Sequence, residues 1–240
     1  MKNLYNDKIL VALGSGKMMT QSYELFAKSG LRSRSFEESF NSKNYEYEGE
    51  NVTFTITKDF DIPQAVDGGD EDFGICGLDN VMEYELSNVT PTGAVAGRGF
   101  ISGLVDDLGI CKMSFNIAGF KEKQEEFYKL LQSGSKTIVI ATAYPAITRN
   151  YFLKNFPNAR IDIRTLAGKV ESAPKRYGDS AIFEIVSSGG ALAANGLVSY
   201  QKAFDIPTKL LISKTAARKD PRIGEITDKI KTIVEKEKTL

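Results

Sequence analysis

Apolar positions along this chain come in two patterns: short unbroken runs that stop at glycine or serine, and longer stretches where they recur every third or fourth residue. The first pattern is that of strands buried on both faces, the second that of amphipathic helices packed upon them. Ile9-Leu10-Val11-Ala12-Leu13 is a run of the first kind, ended by Gly14-Ser15-Gly16. Met18, Ser22, Leu25, Phe26 and Ser29 then follow at helical spacing, with Gly30 as a stop. Residues 52–57 alternate as a strand does, and Asp61 offers an N-cap ahead of Pro63 at the start of a short helix. Residues 73–77 predict a second buried strand, with Asp79 just past its carboxyl end. Helices are predicted over 120–131 and 145–156, and strands over 137–141, 160–164 and 181–186. The last strand runs into Ser187-Ser188-Gly189-Gly190, where another helix should begin. Ile223, Ile226, Ile230, Ile233 and Val234 form one stripe of a carboxyl-terminal helix, expected to pack on the first lobe.

Strands alternating with helices give an α/β fold with largely parallel sheets, whose ligands bind at the carboxyl ends of the strands. The glycine-rich stretch 93–103 reads as a crossover between lobes, and a second crossing is expected near 197–205. The chain then divides into lobe I, residues 1–100 plus about 198–240, and lobe II, about 101–197.

Composition narrows the chemistry by exclusion. A chain of 240 residues, 42% apolar and 26% charged, can bury its cores without disulfides or a structural metal. Lys+Arg and Asp+Glu balance at 31 each, so no global field draws it to nucleic acid or an anionic membrane. Any anion site must be local. There is no histidine, which removes Ser-His-Asp, Cys-His and His-metal chemistry together. Cys76 and Cys111 have no metal-ligand spacing, and their apolar neighbours read as those of buried thiols. Sparse cysteine, no secretory leader and no run near the ~20 apolar residues of a membrane span predict a soluble, cytoplasmic protein.

The segment from Glu184 to Leu192 carries the most information. Consecutive N–H groups of Ser187, Ser188, Gly189, Gly190, Ala191 and Leu192, with the two serine hydroxyls, can wrap a phosphate at a helix start. Glu184 can accept hydrogen bonds from sugar hydroxyls. Taken alone, the run reads equally well as a plain glycine-rich turn. Ser15, Gly16 and Lys17 repeat the strand-to-helix arrangement, but Met18 stands where a Walker A loop needs Ser or Thr. Gly97-Arg98-Gly99 lacks the third glycine of a dinucleotide fingerprint, because Ser102 occupies its place.

Longer motifs, in order along the chain, carry a resemblance. Asp61-Ile62-Pro63 and the run from Gly69 through Asp72, Gly74, Gly77 and Asp79 to Glu83 resemble the recognition pattern of ATP phosphoribosyltransferases. So do Asp107-Leu108-Gly109, the segment 141–152 with Tyr144-Pro145, the segment 166–174 and Asn195-Gly196-Leu197. The resemblance reaches nearly the whole chain to about Thr215 and is to the short form, without a fused regulatory domain. It implies a two-lobed, periplasmic-binding-protein-like (type II) architecture with a substrate cleft between lobes. The implied reaction opens histidine biosynthesis: N1 of ATP displaces pyrophosphate from C1 of phosphoribosyl pyrophosphate (PRPP), with Mg²⁺ as cofactor. It also implies a homo-oligomer and a regulatory subunit resembling histidyl-tRNA synthetase. Carried over by position, 184–192 would hold PRPP. Ser15, Gly16, Lys17, Lys58, Asp79 and Tyr144 would meet the pyrophosphate or ATP. No residue is implied as acid or base, and the metal ligands are unknown.

The departures fall in the same places. The family's PRPP loop reads Asp-x-x-x-Thr-Gly-x-Thr, whereas Glu184, Ser188 and Ala191 fill the side-chain positions here. Lys17 replaces an arginine and so loses its bidentate fork, Ser180 stands for Asp, and Ala146 for Asn. The alternative reading is therefore a catalytically impaired paralogue that binds a nucleotide or phosphate ligand as a sensor or pseudoenzyme subunit.

Overall fold

The computed structural model describes residues 8–41, 43–88, 100–101, 104–105, 107–178 and 180–239. In chain order it begins with β1 (Ile9–Gly14), α1 (Lys17–Ser29), α2 (Arg34–Ser39), β2 (Glu46–Glu48) and β3 (Val52–Thr57). A 3-10 turn at Asp59–Asp61 leads into α3 (Ile62–Gly68), β4 (Phe73–Gly77), α4 (Leu78–Ser87) and β5 (Phe100–Ile101). Next come β6 (Met113–Gly119), α5 (Gln124–Ser133), β7 (Thr137–Thr142), α6 (Pro145–Asn155) and β8 (Arg160–Thr165). Then follow α7 (Ala173–Tyr177), β9 (Ser180–Val186), α8 (Gly190–Ala194) and β10 (Val198–Ile206). The chain closes with β11 (Thr208–Ser213), α9 (Lys214–Lys219) and α10 (Pro221–Lys238).

These elements form an α/β structure of two units, one of residues 1–111 with 207–240 and one of 112–206. The change of unit falls at Cys111/Lys112 and Ile206/Pro207, against the expected 100/101 and 197/198. Strand pairing accounts for the shift: β5 joins β11 in the first sheet, and the whole of β10 pairs with β6 in the second. The crossover expected at 93–103, with its Gly97-Arg98-Gly99 segment, lies almost entirely outside the described residues.

The first sheet runs β2-β3-β1-β4-β11-β5 and the second β10-β6-β9-β7-β8. Neither is largely parallel. In the first, β1 is parallel to β3 and β4, whereas β2 and β11 are antiparallel to their neighbours. In the second, β7 is parallel to β8 and β9, and β6 is antiparallel to β9 and β10. The expectation came from the strand–helix–strand units, which do give parallel pairs. It missed β6, β10 and β11, which the sequence reading did not mark as strands and which enter antiparallel to their neighbours. Pro207, which has no N–H to give a ladder, separates β10 from β11.

The first unit's core is aromatic and branched, with Phe26, Phe54, Phe73, Leu13 and Ile75 fully buried. Stripe residues Ile223, Ile226, Ile230 and Val234 of α10 join that cluster, and α10 packs along α1. Asp220 caps α10 by accepting the Arg222 N–H at 2.9 Å, and Pro221 takes the first helical position. In the second unit, rings of Phe115, Phe183, Tyr151, Phe152 and Phe204 stack and cross at centroid distances of 4.7–6.5 Å. Asp61 sits at the N-cap of α3, but its side chain makes no capping bond, because the 3-10 turn before it already continues into the helix.

One buried carboxyl sets a pH dependence. Glu71, 8% exposed, lies just before β4 and is bonded by the Thr55 hydroxyl, while its Oε2 has no hydrogen-bond partner among the described residues. Burial, reinforced by Asp72, Asp70 and Glu46, pushes its pKa up to about 8. In the unfolded chain it ionises near the ordinary value of 4.5. Below that pH both states hold the proton and nothing is lost. As pH rises from about 4.5 to about 8, only the unfolded state gives up its proton, so stability falls. The loss should reach a few kcal/mol, at about 1.4 kcal/mol per pH unit of displacement. Denaturant melts at pH 5 and pH 8 should show Glu71→Gln with a smaller decline than the parent by roughly that amount; equal declines would remove Glu71 as the cause.

Candidate functional site

In each unit the parallel strands end at one common edge, and the predicted site residues gather there. In the second unit this is where β7, β8 and β9 finish. Glu184 sits near the end of β9 and faces the turn after β7. Its Oε2 accepts the Ala143 N–H at 3.1 Å, and its Oε1 the Ile185 N–H at 3.0 Å. The turn is held in place by Tyr144, whose N–H bonds Thr142 Oγ1 at 2.9 Å and whose carbonyl accepts the Thr148 hydroxyl at 2.7 Å. The Tyr144 ring stands edge-on to Phe115, centroids 5.1 Å apart.

Ser187 and Ser188 follow β9 and are exposed, as are Gly190 and Ala191. Gly189 has φ 74°, ψ −1°, the left-handed conformation that turns the chain from strand into α8. The N–H groups that open a helix have no intrahelical acceptor, so those of 190–192 remain donors. Leu192, by contrast, is buried with Ala118, Ala141, Ile182 and Leu197. Its side chain anchors the loop, and only its amide is available to a ligand. The helix begins where the sequence predicts one and is short. Five residues supply little aligned dipole, so an anion here would depend on direct amide contact.

In the first unit the common edge is that of β3, β1 and β4. It brings together Ser15 and Gly16 after β1, Lys17 at the start of α1, exposed Lys58 after β3, and Asp79 in the first turn of α4. Gly16 has φ 86°, ψ −144°, a glycine conformation, and caps α1 without any side-chain bond. Asp79 is 2% exposed, and its Oδ2 accepts the Asn80 amide at 2.9 Å. Tyr144, assigned by the resemblance to the same ligand as these residues, lies in the second unit, within the expected lobe II, beside the Glu184 turn.

Sequence reasoning missed Asp59. Its carboxylate lies over the turn after β1: a Cβ on Gly14 would collide with Asp59 Oδ1, and the Ser15 N–H hydrogen-bonds to the carboxylate. Burial, then the nearby Asp79, push the Asp59 pKa up to about 6, against the lowering effect of the Ser15 bond. Burial first, then Asp79 and Asp59, also raise the Cys76 thiol. Cys76 is fully buried and Cys111 half-buried, and neither is in a disulfide. A glycine ending a strand was the one available hint of a close neighbour. Nothing local says that the neighbour is an acid from the turn after β3.

Comparison with known proteins follows the same line. The family model for ATP phosphoribosyltransferase (HisG) matches residues 58–235. An ATP phosphoribosyltransferase of Caldicellulosiruptor saccharolyticus is 31% identical over 231 residues, covering 94% of this chain and 99% of its own. That of Geobacter metallireducens is 28% identical, covering 93% and 97%. Among solved structures, an ATP phosphoribosyl transferase (HisG:HisZ) complex from Thermotoga maritima superposes with TM-score 0.69 at 20% identity, over 95% of this chain and 98% of that one. An ancestral amino acid-binding protein gives 0.54 at 13% identity, over 96% and 91%. The two solved structures show shared fold, of the two-lobed binding-protein type.

Proposed function

Because the chain belongs to the ATP phosphoribosyltransferase family, we propose that its second unit holds PRPP on residues 184–192 while its first unit receives the pyrophosphate or ATP phosphates at Ser15, Gly16, Lys17, Lys58 and Asp79. The protein is a transferase of the first step of histidine biosynthesis, joining ATP to PRPP and releasing pyrophosphate. The lone pair of adenine N1 forms the new bond to C1, and the electrons of the breaking C1–O bond leave with pyrophosphate. The centre passes through oxocarbenium-like character, so catalysis is positioning and charge neutralisation. No acid, base or nucleophile need come from the protein, and a chain without histidine loses nothing by it.

The observation that carries the PRPP assignment is the left-handed Gly189, with open amides after it and the Glu184 carboxylate at the same strand edge. The carboxylate suits ribose hydroxyls and the amides suit a 5′-phosphate. Tyr144, next to Glu184, would meet the ATP or pyrophosphate.

Mg²⁺ is the ion this chemistry implies. Among the described residues no group of three or more carboxylates or thiols is placed to hold a metal. The described residues do not build a Mg²⁺ site on their own; the ion fits as one brought by the phosphates. A homo-oligomer in the cytoplasm with a histidyl-tRNA-synthetase-like regulatory subunit completes the reading. Among the described residues no helix is long and apolar enough to cross a membrane. Balanced charge gives nucleic acid no footing. The non-catalytic alternative is not favoured, since the curated relatives carry the enzyme's name.

Calorimetric titration with PRPP and ATP, followed by an assay of pyrophosphate release, tests the function. Ala191→Thr restores a hydroxyl at an exposed position of the loop. It should tighten PRPP binding by up to about tenfold, one added hydrogen bond near 1.4 kcal/mol. No PRPP binding by the parent and none by Ala191→Thr would sink the transferase assignment of this loop.

A further inference from the structure

The turn after β1 already contains an anion. The Asp59 carboxylate sits against the Gly14 backbone, takes the Ser15 N–H, and has Asp79 as its acidic neighbour from α4. Cys76, from β4, faces the same pair. Asp59 Oδ1 is buried with no hydrogen-bond partner among the described residues. A turn of this shape offers amides to a phosphate, yet one of those amides is occupied by a carboxylate of the chain itself.

We propose that Asp59 is a positioning and selectivity residue for the phosphate-bearing ligand of the first unit: a resident carboxylate that shapes the Gly14–Gly16 turn and, when ionised, competes with the incoming anion. This rests on the reading of that turn as a phosphate site. Two like charges within a few ångströms in a partly desolvated setting repel strongly, so an ionised Asp59 weakens phosphate binding and a neutral one does not. Burial and Asp79 hold the Asp59 pKa at about 6, which places the change between pH 5 and pH 7. Affinity for the phosphate ligand is therefore set by the charge state of Asp59, over and above the amides and lysines.

The test compares the parent with Asp59→Asn, which keeps a carbonyl for the Ser15 N–H and removes the charge. Inorganic pyrophosphate without metal serves as probe, titrated at pH 5 and pH 8. The ratio of the two dissociation constants cancels the probe's own ionisation. At pH 8 Asp59→Asn should bind about tenfold tighter than the parent, and at pH 5 the two should agree within about twofold. A ratio that does not change with pH overturns the proposal while leaving the phosphate site standing. Pyrophosphate binding by neither protein overturns the phosphate-site reading and the proposal with it. Asp79→Asn supplies a second arm that leaves Asp59 intact: removing the neighbouring charge should move the midpoint of the pH dependence to lower pH. An unmoved midpoint counts against the pair.

Discussion

Removal of residues from 221 onward is expected to cost the first unit its fold, seen as loss of the cooperative thermal transition. The stripe of α10 is not a decoration on a finished core. Ile223, Ile226, Ile230 and Val234 are 1%, 6%, 0% and 3% exposed and share one cluster with Phe26, Phe54 and Phe73. Burying such side chains stabilises by about 1.5–3 kcal/mol each, an upper estimate. Their sum is comparable to the ~5–15 kcal/mol net stability of a typical domain. The Lys28–Glu237 pair at 2.6 Å is half-exposed and adds little beside this. A milder variant keeps the question open if the truncated chain aggregates. Ile230→Ala should lower stability by about 2–5 kcal/mol and the melting temperature by roughly 5–15 °C. A truncated or Ile230→Ala protein melting with the parent would show that the stripe does not close this core in solution.

Gly189→Val should abolish PRPP binding while leaving the second unit folded. The left-handed φ of 74° strains a β-branched residue, and nothing lies within 4 Å of where its Cβ would stand. The substitution therefore acts through backbone conformation, by turning amides 190–192 away from a common point. Losing two charge-assisted bonds of about 1.5–3 kcal/mol each weakens binding by more than about a hundredfold. Gly190→Ala is the control, because a Cβ there meets Ser188 Oγ at an ordinary 3.6 Å. It should bind PRPP within a few-fold of the parent. Calorimetry showing Gly189→Val and Gly190→Ala alike would mean that the turn's conformation does not govern binding.

What could be read from the sequence was what short-range pattern controls. β1 with α1 and β9 with α8 each join an apolar run to a glycine-marked helix start, β4 was legible as an apolar run though the helix α4 after it was not foreseen, and the parallel edges follow from those units. What could not be read depends on distant partners. β10, with polar side chains along Ser199, Gln201, Lys202 and Asp205, lacks an apolar run because much of it is exposed. β11 is fully apolar only at Leu210-Leu211-Ile212, too short to separate strand from helix. Asp70-Glu71-Asp72 has the composition of a solvated acidic turn, yet Glu71 and Asp72 are buried, Asp72 accepting the Leu10 N–H at 3.0 Å. The site divides in the same way. The amide turns were legible, whereas Asp59 at Gly14 joins residues 45 apart in the chain.

The place of β11 in the first sheet, between β4 and β5, has a consequence for how the protein is made. A ribosome delivers residues 1–111 first, but the strand that completes their sheet and the helix that seals their core come last, at 207–240. The second unit is one continuous segment and can fold as soon as it emerges. At ~5–20 residues per second the amino-terminal segment waits on the order of ten seconds with the edge of β4 unpaired and Phe26, Phe54 and Phe73 uncovered on one side. The nascent chain thus has its order of folding reversed relative to its order of synthesis, and its vulnerable interval lasts until α10 clears the exit tunnel.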